Sequence, residues 1–315
     1  MLGPSPAAAV LATILSTALF LTTIRPAAAA DNRPIVFFVA ASAEDPALVV
    51  ARLYEGRHPG VRVTVRANAS SRLARDILVG GERADVLLFA DGRTMDELEG
   101  AELIDRASRR DFLENDLVVI GSEEGVAHLR SPADLAAPGV RAVALCDTLV
   151  PLGAYARAFL RTAGVWEAVS ARAYQVTDAR AALVAVETGA ANYAIVYASQ
   201  VRNVKWVRVV WSVAPQTHPP VRYPLALLLR ASRRPRARDF HKFLLSDAAA
   251  RVFAGHGFRV VGEGVPGLEG TGWGESTTGK SAGGDSANVG SDTAGADAEI
   301  DSARGEIDSV GAGGE

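Results

Sequence analysis

Short apolar runs alternate with amphipathic stretches through most of the chain. Unbroken apolar runs of about four to eight residues indicate buried strands, whereas apolar positions three and four residues apart indicate helices. The predicted strands are 35–40, 61–65, 84–89, 117–120, 140–145, 194–197, 204–211 and 224–229. The predicted helices are 46–54, 71–79, 94–99, 154–163, 179–188 and 236–245. This alternation predicts an α/β fold with parallel, doubly wound sheets, in which ligands bind at the carboxyl ends of the strands.

The stretch 68–91 joins a helix start to a following strand. Ser70 or Ser71 stands at the expected N-cap of the helix, and Gly80 and Gly81 end the helical pattern. The first turn of a helix has main-chain N–H groups without partners and carries the positive end of the helix dipole. Together with the serine hydroxyls, this arrangement predicts a seat for an anion that uses no charged side chain.

Similar hydrogen-bond donors recur at other strand ends and helix starts. They are the Ser42 hydroxyl, the amides of Leu152 and Gly153 after Pro151, the amides of Ala179 and Arg180 after the predicted cap Asp178, and the Tyr197 hydroxyl. No acidic or metal-binding cluster converges with them, so the set predicts a ligand that only accepts hydrogen bonds. Sulfate, molybdate and tungstate are such ligands. Phosphate keeps a proton and needs an acceptor, for which Asp147 and Asp178 are the candidates.

The amino-terminal segment 1–30 has the pattern of a secretory signal. Its apolar run, 7–24, is followed by Ala28, Ala29 and Ala30, which form a small-residue cleavage site. We expect cleavage near Ala30 and export to the periplasm. The single cysteine, Cys146, lies far from that site, so no lipid anchor at the cleavage point and no intramolecular disulfide are expected. Without cleavage, the segment would tether the protein to a membrane, as in an anion sensor or adaptor.

The carboxyl-terminal segment 264–315 differs in composition from the rest of the chain. It holds 14 of the 30 glycines and carries ten acidic but only two basic residues. Without apolar periodicity, such a segment cannot bury enough surface to offset the entropy of ordering. The sequence therefore predicts a disordered acidic tail beside a mildly basic folded part.

Several other functions are disfavoured by what the sequence lacks. A GxxxxGK[ST] string, 274–281, and a GxGxxG string, 262–267, both fall at or within the glycine-rich carboxyl-terminal segment. Neither joins a predicted strand to a predicted helix, the context that phosphate binding requires, so nucleotide hydrolysis and dinucleotide cofactors are not expected. The five histidines are scattered, and Cys146 has no neighbouring histidine, so neither a metal-cation site nor a cysteine nucleophile is expected. Arginine runs in an exported protein indicate a solvated surface rather than nucleic-acid binding. We expect no enzyme activity and no cofactor, and we expect Trp206 and Trp211 to pack into the core.

Residues 34–258 resemble the periplasmic molybdate-binding proteins of ABC importers. The matching strings, in order, are AAS at 40–42, SSRLARDILVGGERADVLLFAD, MDELEGAELID, NDLVVI, VPLGAYA, ARAALVAVETG, IVYAS, HPPVRYPLALL and FLLSDAAARVFAGHGF. The resemblance implies a two-lobed type II periplasmic-binding-protein fold that buries a molybdate or tungstate dianion between its lobes. It assigns the anion to the hydroxyls of Ser42, Ser70 and Tyr197 and the amides of Leu152 and Ala179. Molybdenum would then be held only through its oxyanion, without direct metal-cation ligands.

The same resemblance sets expectations for the lobes and the partners. Lobe I would comprise 31–113 and 219–263, lobe II would comprise 114–218, and the hinge would lie at 112–115 and 217–221. The protein would act as a monomer that delivers its ligand to a permease and an ATPase on separate chains. The sequence departs from the family at 146–153, where the loop is one residue shorter and Leu152 replaces a small residue. Sulfate or a small organic acid is therefore the alternative ligand.

Overall fold

The computed structural model describes residues 33–122, 129–202 and 204–261. The predicted signal segment 1–30 and the predicted tail 264–315 lie outside the described residues. Within the described part, none of the helices combines the length and the apolar character that crossing a membrane requires.

Eleven strands in the described part form two sheets. The strands are β1 (Ile35–Ala40), β2 (Val63–Asn68), β3 (Val86–Leu88), β4 (Arg110–Asn115), β5 (Leu117–Ser122), β6 (Val143–Cys146), β7 (Ala173–Val176), β8 (Tyr193–Tyr197), β9 (Val207–Ser212), β10 (Val221–Leu227) and β11 (Arg259–Val260). The first sheet has the order β11-β4-β10-β3-β1-β2, and the second has the order β7-β6-β8-β5-β9. Each sheet is the centre of one lobe.

Helices surround both sheets. They are α1 (Glu44–Arg57), α2 (Ser70–Leu78), α3 (Gly92–Gly100), α4 (Pro151–Thr162), α5 (Trp166–Ser170), α6 (Ala179–Glu187), α7 (Pro235–Leu244) and α8 (Asp247–Gly255). The predicted α/β fold class and its two-lobed arrangement are confirmed. The central strands are deeply buried, because helices cover the sheets. Every residue of β3 is at most 2% exposed, and so is every residue of β1 except Val36.

The expectation of parallel sheets is wrong, because both sheets are mixed. β1 runs parallel to β2 and β3, but β10 runs antiparallel to β3 and β4. In the second sheet β6 is parallel to β7 and β8, whereas β5 is antiparallel to β8 and β9. The reason is the chain path: β4 leaves the first lobe and β10 enters it, so the two strands run in opposite directions. The same holds for β5 and β9 in the second lobe.

Two short segments connect the sheets. β4 ends at Asn115 and β5 begins at Leu117, so the first crossing takes place at Asp116. The second crossing is the segment 213–220 between β9 and β10. β4 thus extends two residues beyond the predicted end of the first lobe segment at residue 113.

The sequence patterns missed or misplaced several elements. β4, β7 and β11 were not predicted as strands, and α5 and α8 were not predicted as helices. The burial expected of Trp206 is wrong, since its side chain precedes β9 and is 68% exposed. Trp211, within β9, is partly buried against the core as expected.

A nearly buried ion pair joins the residue before β3 to the residue before α7. Asp85 accepts a hydrogen bond from the Val36 amide at 2.9 Å and pairs with Arg234. Arg234 also donates to the main-chain oxygen of Arg33 at 3.1 Å. The side chains of Asp85 and Arg234 are 9% and 13% exposed, so the pair is largely shielded from water and its loss is costly.

We expect the Asp85→Ala substitution to lower the free energy of unfolding by about 3–5 kcal/mol, because it removes a nearly buried carboxylate that pairs with Arg234 and accepts from the Val36 amide. The matched control is Asp111→Ala, which removes an exposed pair with Arg222 and should cost less than about 1 kcal/mol. Urea titrations of both variants measure the difference. Equal, small losses in the two variants would contradict the structural role of the Asp85 pair.

Candidate ligand-binding site

A small cavity lies between the two lobes. From the first lobe it is lined by Ala40, Ala41, Ser42, Ala69, Ser70 and Ala90, and from the second by Val150, Pro151, Leu152, Ala179 and Tyr197. All five residues predicted to bind the ligand are thus brought together at one place. The space open to the centre of a water molecule is about 20 Å³, above the roughly 10–15 Å³ that one water requires. The cavity therefore has room for at least one water-sized group.

The first lobe contributes two serine hydroxyls. Ser42 lies in the single 3₁₀ turn Ala41–Ala43 that follows β1, and its Oγ is 2.8 Å from Tyr223 Oη. Ser70 is the first residue of α2, and its Oγ accepts a hydrogen bond from the Ala90 amide at 3.0 Å. Because this bond uses the oxygen of Ser70 as an acceptor, the hydroxyl proton is still free to donate.

The predicted N-cap of α2 is wrong. Ala69 occupies that position, and no side chain caps the helix. A capping serine would accept a hydrogen bond from a first-turn amide of its own helix and so occupy that donor. With alanine at the cap, the first-turn amides and the Ser70 hydroxyl remain at the cavity wall.

The second lobe contributes two helix starts. Pro151 is the first residue of α4, so the Leu152 amide is the first N–H of that helix, and no side chain caps it. At α6 the cap is Asp178, whose Oδ1 accepts from the amides of Arg180 and Ala181, each at 2.9 Å. The expectation that the Arg180 amide is free is therefore wrong, because only Ala179 precedes the capped amides.

Tyr197, at the end of β8, presents a buried hydroxyl without a partner. The residue is 1% exposed, and its Oη makes no hydrogen bond with any residue that the structure describes. Burial raises the pKa of this phenol well above its usual value, and nearby Tyr223 adds to the effect. The hydroxyl therefore stays protonated, as a donor at the cavity wall. A buried polar atom without a partner costs free energy. A bound ligand that accepts a hydrogen bond from the Tyr197 hydroxyl would remove this cost.

None of the described side chains that line the cavity is ionised at neutral pH. The two candidate acceptors are engaged elsewhere: Asp147 is exposed and accepts from the Leu149 amide at 2.8 Å, and Asp178 caps α6. Burial raises the pKa of the neighbouring Cys146 to about 12, so its thiol is neutral. The polar groups that the site residues offer are therefore neutral and mostly donors.

Contacts between the lobes surround the cavity. Arg180 of α6 pairs with Glu44 and Asp45 at the start of α1, with nitrogen–oxygen distances of 3.1 and 3.7 Å. On another side, Tyr155 of α4 donates to the Ala90 carbonyl oxygen at 3.3 Å. These contacts hold the lobes together over the site, which is the closed arrangement of a two-lobed protein.

Sequence reasoning missed two polar residues behind Ser42. Tyr223 of β10 and Asn115 at the end of β4 are 0% and 3% exposed, and both take part in hydrogen bonds that lead to Ser42. Their signal in the sequence was a polar side chain next to a predicted lobe crossing. An asparagine or tyrosine buried in such a strand needs a hydrogen-bond partner.

Comparison with known proteins identifies the family. A family profile described as bacterial extracellular solute-binding protein matches residues 35–259. The chain belongs to this family. A molybdate-binding protein ModA from Haemophilus influenzae is 31% identical over 254 residues, which cover 78% of this chain and 97% of that protein.

Solved structures of the same fold extend the comparison. One is the substrate-binding domain of a putative molybdenum ABC transporter from Clostridium difficile, with 26% identity and a TM-score of 0.57 over 73% of this chain and 99% of that one. Another is the sulfate-binding protein SubI from Mycobacterium tuberculosis, with 20% identity and a TM-score of 0.61 over 72% of this chain and 87% of that one. At 20% identity, the second likeness concerns the fold alone.

Gly153 allows the start of α4 to lie against the preceding loop. A Cβ atom added at this position would stand 2.1 Å from the main-chain oxygen of Asp147 and 2.5 Å from that of Cys146. We expect Gly153→Ala to lower the free energy of unfolding by about 1–3 kcal/mol, because main-chain atoms would have to move. Urea denaturation of the ligand-free protein measures this loss.

The matched control is Gly56→Ala in α1, where no atom lies within 4 Å of the added Cβ. Replacing a helical glycine with alanine there should be neutral or should stabilise the protein by up to about 1 kcal/mol. If the two variants were equally stable, the close approach at Gly153 would not constrain the loop.

Proposed function

We propose that this protein is an exported receptor that binds molybdate, and also tungstate, between its lobes and delivers the anion to an ABC importer. The observation that carries this proposal is the buried Tyr197 hydroxyl, which has no hydrogen-bond partner among the described residues, on a cavity whose described lining contains no ionised side chain. The ligand would accept hydrogen bonds from the hydroxyls of Ser42, Ser70 and Tyr197 and from the amides of Leu152 and Ala179. Molybdenum would be held through its oxygens, without a protein side chain as metal ligand.

The donor set supports an anion that carries no proton. Hydrogen phosphate presents an O–H group that needs an acceptor, and both candidate carboxylates, Asp147 and Asp178, already accept main-chain hydrogen bonds. Molybdate, tungstate and sulfate have acceptor oxygens only. A small organic acid, which the altered loop at 146–153 suggested, is the remaining alternative.

Among the remaining anions, relatedness supports molybdate. The Haemophilus relative that matches over nearly its whole length is a molybdate-binding protein. Sulfate is the second candidate, because the fold is shared with a sulfate-binding protein. Tungstate has the same charge and a similar tetrahedral arrangement of acceptors, so the same donors would bind it.

Binding would stabilise the closed form, because donors from both lobes reach the anion only when the lobes meet. A wider cleft of about 320 Å³ shares Ala41 and Ser42 with the cavity and is bordered by Arg180 and Asp45, which pair across the lobes. This cleft offers a path for the ligand when that pair separates. In the periplasm, the closed monomer would dock on a membrane permease. The ATPase of that permease is a separate chain. No covalent step is assigned to the protein.

Titration calorimetry of the purified protein with molybdate, tungstate, sulfate and phosphate tests the proposal. We expect submicromolar dissociation constants for molybdate and tungstate and far weaker binding of sulfate and phosphate. Tight binding of sulfate with weak molybdate binding would establish the second candidate instead. Lack of binding by all four anions would refute the proposed function.

Removing a single donor should weaken binding without disturbing the fold. For Tyr197→Phe, Ser42→Ala or Ser70→Ala we expect a loss of about 1–3 kcal/mol, or roughly 5–150-fold in the dissociation constant, because a buried charge loses a hydrogen bond. The control is Tyr193→Phe, in the same strand but outside the cavity lining. Calorimetry on the four variants compares them. Unchanged affinity in the three site variants would refute the site.

A further inference from the structure

A chain of hydrogen bonds leads from the first lobe crossing to Ser42. Asn115 Nδ2 lies 2.8 Å from Ser199 Oγ and 3.4 Å from Tyr223 Oη, and Tyr223 Oη lies 2.8 Å from Ser42 Oγ. We call Asn115, Tyr223 and Ser42 the hydroxyl relay. Ser42 belongs to the cavity, whereas the other two members lie behind it.

The direction of the relay is fixed at Asn115. Its Oδ1 accepts hydrogen bonds from the main-chain amides of Asp116 at 3.0 Å and Ser199 at 3.2 Å. Main-chain amides only donate, so the carboxamide cannot turn over, and its Nδ2 must face the two hydroxyls as a donor. Tyr223 Oη is therefore an acceptor on the side of Asn115.

The next step passes this direction on to Ser42. Tyr223 keeps its phenolic proton, because burial raises its pKa well above the usual value. The nearest acceptor for that proton is Ser42 Oγ at 2.8 Å. If Ser42 accepts from Tyr223, its own proton is left for the cavity.

Ser70 shows the same arrangement with a simpler partner. Its Oγ accepts from the Ala90 amide, which can only donate, so the Ser70 proton is likewise left for the cavity. Both serines of the first lobe thus receive a hydrogen bond from behind and can donate forward. For Ser70 the main chain imposes this polarity, whereas for Ser42 two buried side chains impose it.

We infer that Tyr223, oriented by Asn115, is a positioning residue that holds the Ser42 hydroxyl as a donor toward the bound oxyanion. The inference rests on the proposed function and concerns its specificity. Without Tyr223, the Ser42 hydroxyl can rotate and accept a hydrogen bond. The site then loses part of its preference for anions without a proton.

The Tyr223→Phe variant tests the relay, since it removes the hydroxyl and keeps the ring. We expect the dissociation constant for molybdate to rise about 2–10-fold, as for one hydrogen bond lost behind the site. Phosphate binding should weaken less or improve, so that the ratio of molybdate to phosphate affinity falls. The control is Tyr54→Phe, which removes another buried tyrosine hydroxyl of the first lobe, far from the relay, and should leave both affinities unchanged.

A double-mutant cycle with Ser42→Ala separates positioning from packing. If Tyr223 acts through the Ser42 hydroxyl, Tyr223→Phe will have no further effect on molybdate affinity once Ser42 is alanine. Fully additive losses, or an unchanged ratio of molybdate to phosphate affinity in Tyr223→Phe, would overturn the relay. Failure of the unmodified protein to bind any oxyanion would overturn the proposed function and the relay together.

The Asn115→Asp variant tests the origin of the direction. A carboxylate only accepts hydrogen bonds, so the Tyr223 hydroxyl would donate to it. Ser42 would then donate its own hydroxyl proton to Tyr223. We expect Asn115→Asp to lower the molybdate affinity more than Tyr223→Phe does. When Asn115→Asp is made in the Tyr223→Phe background, we expect it to cause a smaller loss than it causes in the unmodified protein. An equal loss in both backgrounds would reflect the added charge alone and would contradict the relay.

Discussion

Where the structure describes its lining, the cavity between the lobes has hydrogen-bond donors and no ionised side chain, and the arrangement around it follows from this constraint. Moving a charge out of water costs several kcal/mol unless fixed dipoles replace the lost hydration. Helix starts supply such dipoles without a counter-ion, since their first amides have no partners. The α2, α4 and α6 helices all begin at the cavity, two of them without a capping side chain. Where a cap is present, at α6, it leaves the amide of Ala179 uncapped.

The chain path between the lobes brings the relay to this place. β4 leaves the first lobe as β10 enters it, so the two strands pair antiparallel, with Val221 opposite Asn115 and Tyr223 opposite Leu113. Tyr223 therefore lies diagonally from Asn115 on the same face of the sheet, where side chains can touch. The two strands that carry the crossings also support Ser42 from behind. The strands that lead into the lobe crossings are thus connected to the site by hydrogen bonds.

Much of the site could be predicted from the sequence because its residues follow local rules. Ser42, Leu152 and Tyr197 stand where a strand ends or a helix begins, and both kinds of boundary leave a signal in the apolar pattern. The sequence marks Tyr223 and Asn115 only as polar residues next to a predicted lobe crossing, because they matter through a pairing of strands more than 100 residues apart. The parallel sheets were mispredicted for the same reason, as strand direction depends on the path between lobes. At α2 local reasoning misplaced the cap, since Ser70 bonds to Ala90 rather than to its own helix.

Charge and donor count cannot separate molybdate from sulfate, because both are dianions with four acceptor oxygens. A site that discriminates between them must do so by the size of the anion. The residues that form the cavity walls, rather than the hydrogen-bond donors, set which size fits. The wall of the second lobe is the start of α4, where Leu152 is 1% exposed and Gly153 lies tightly against the main chain of Cys146 and Asp147. This contact ties the position of the Leu152 amide to the end of β6. The loop at 146–153 is therefore the part of the cavity wall in which we expect a change of one residue to alter which anion fits.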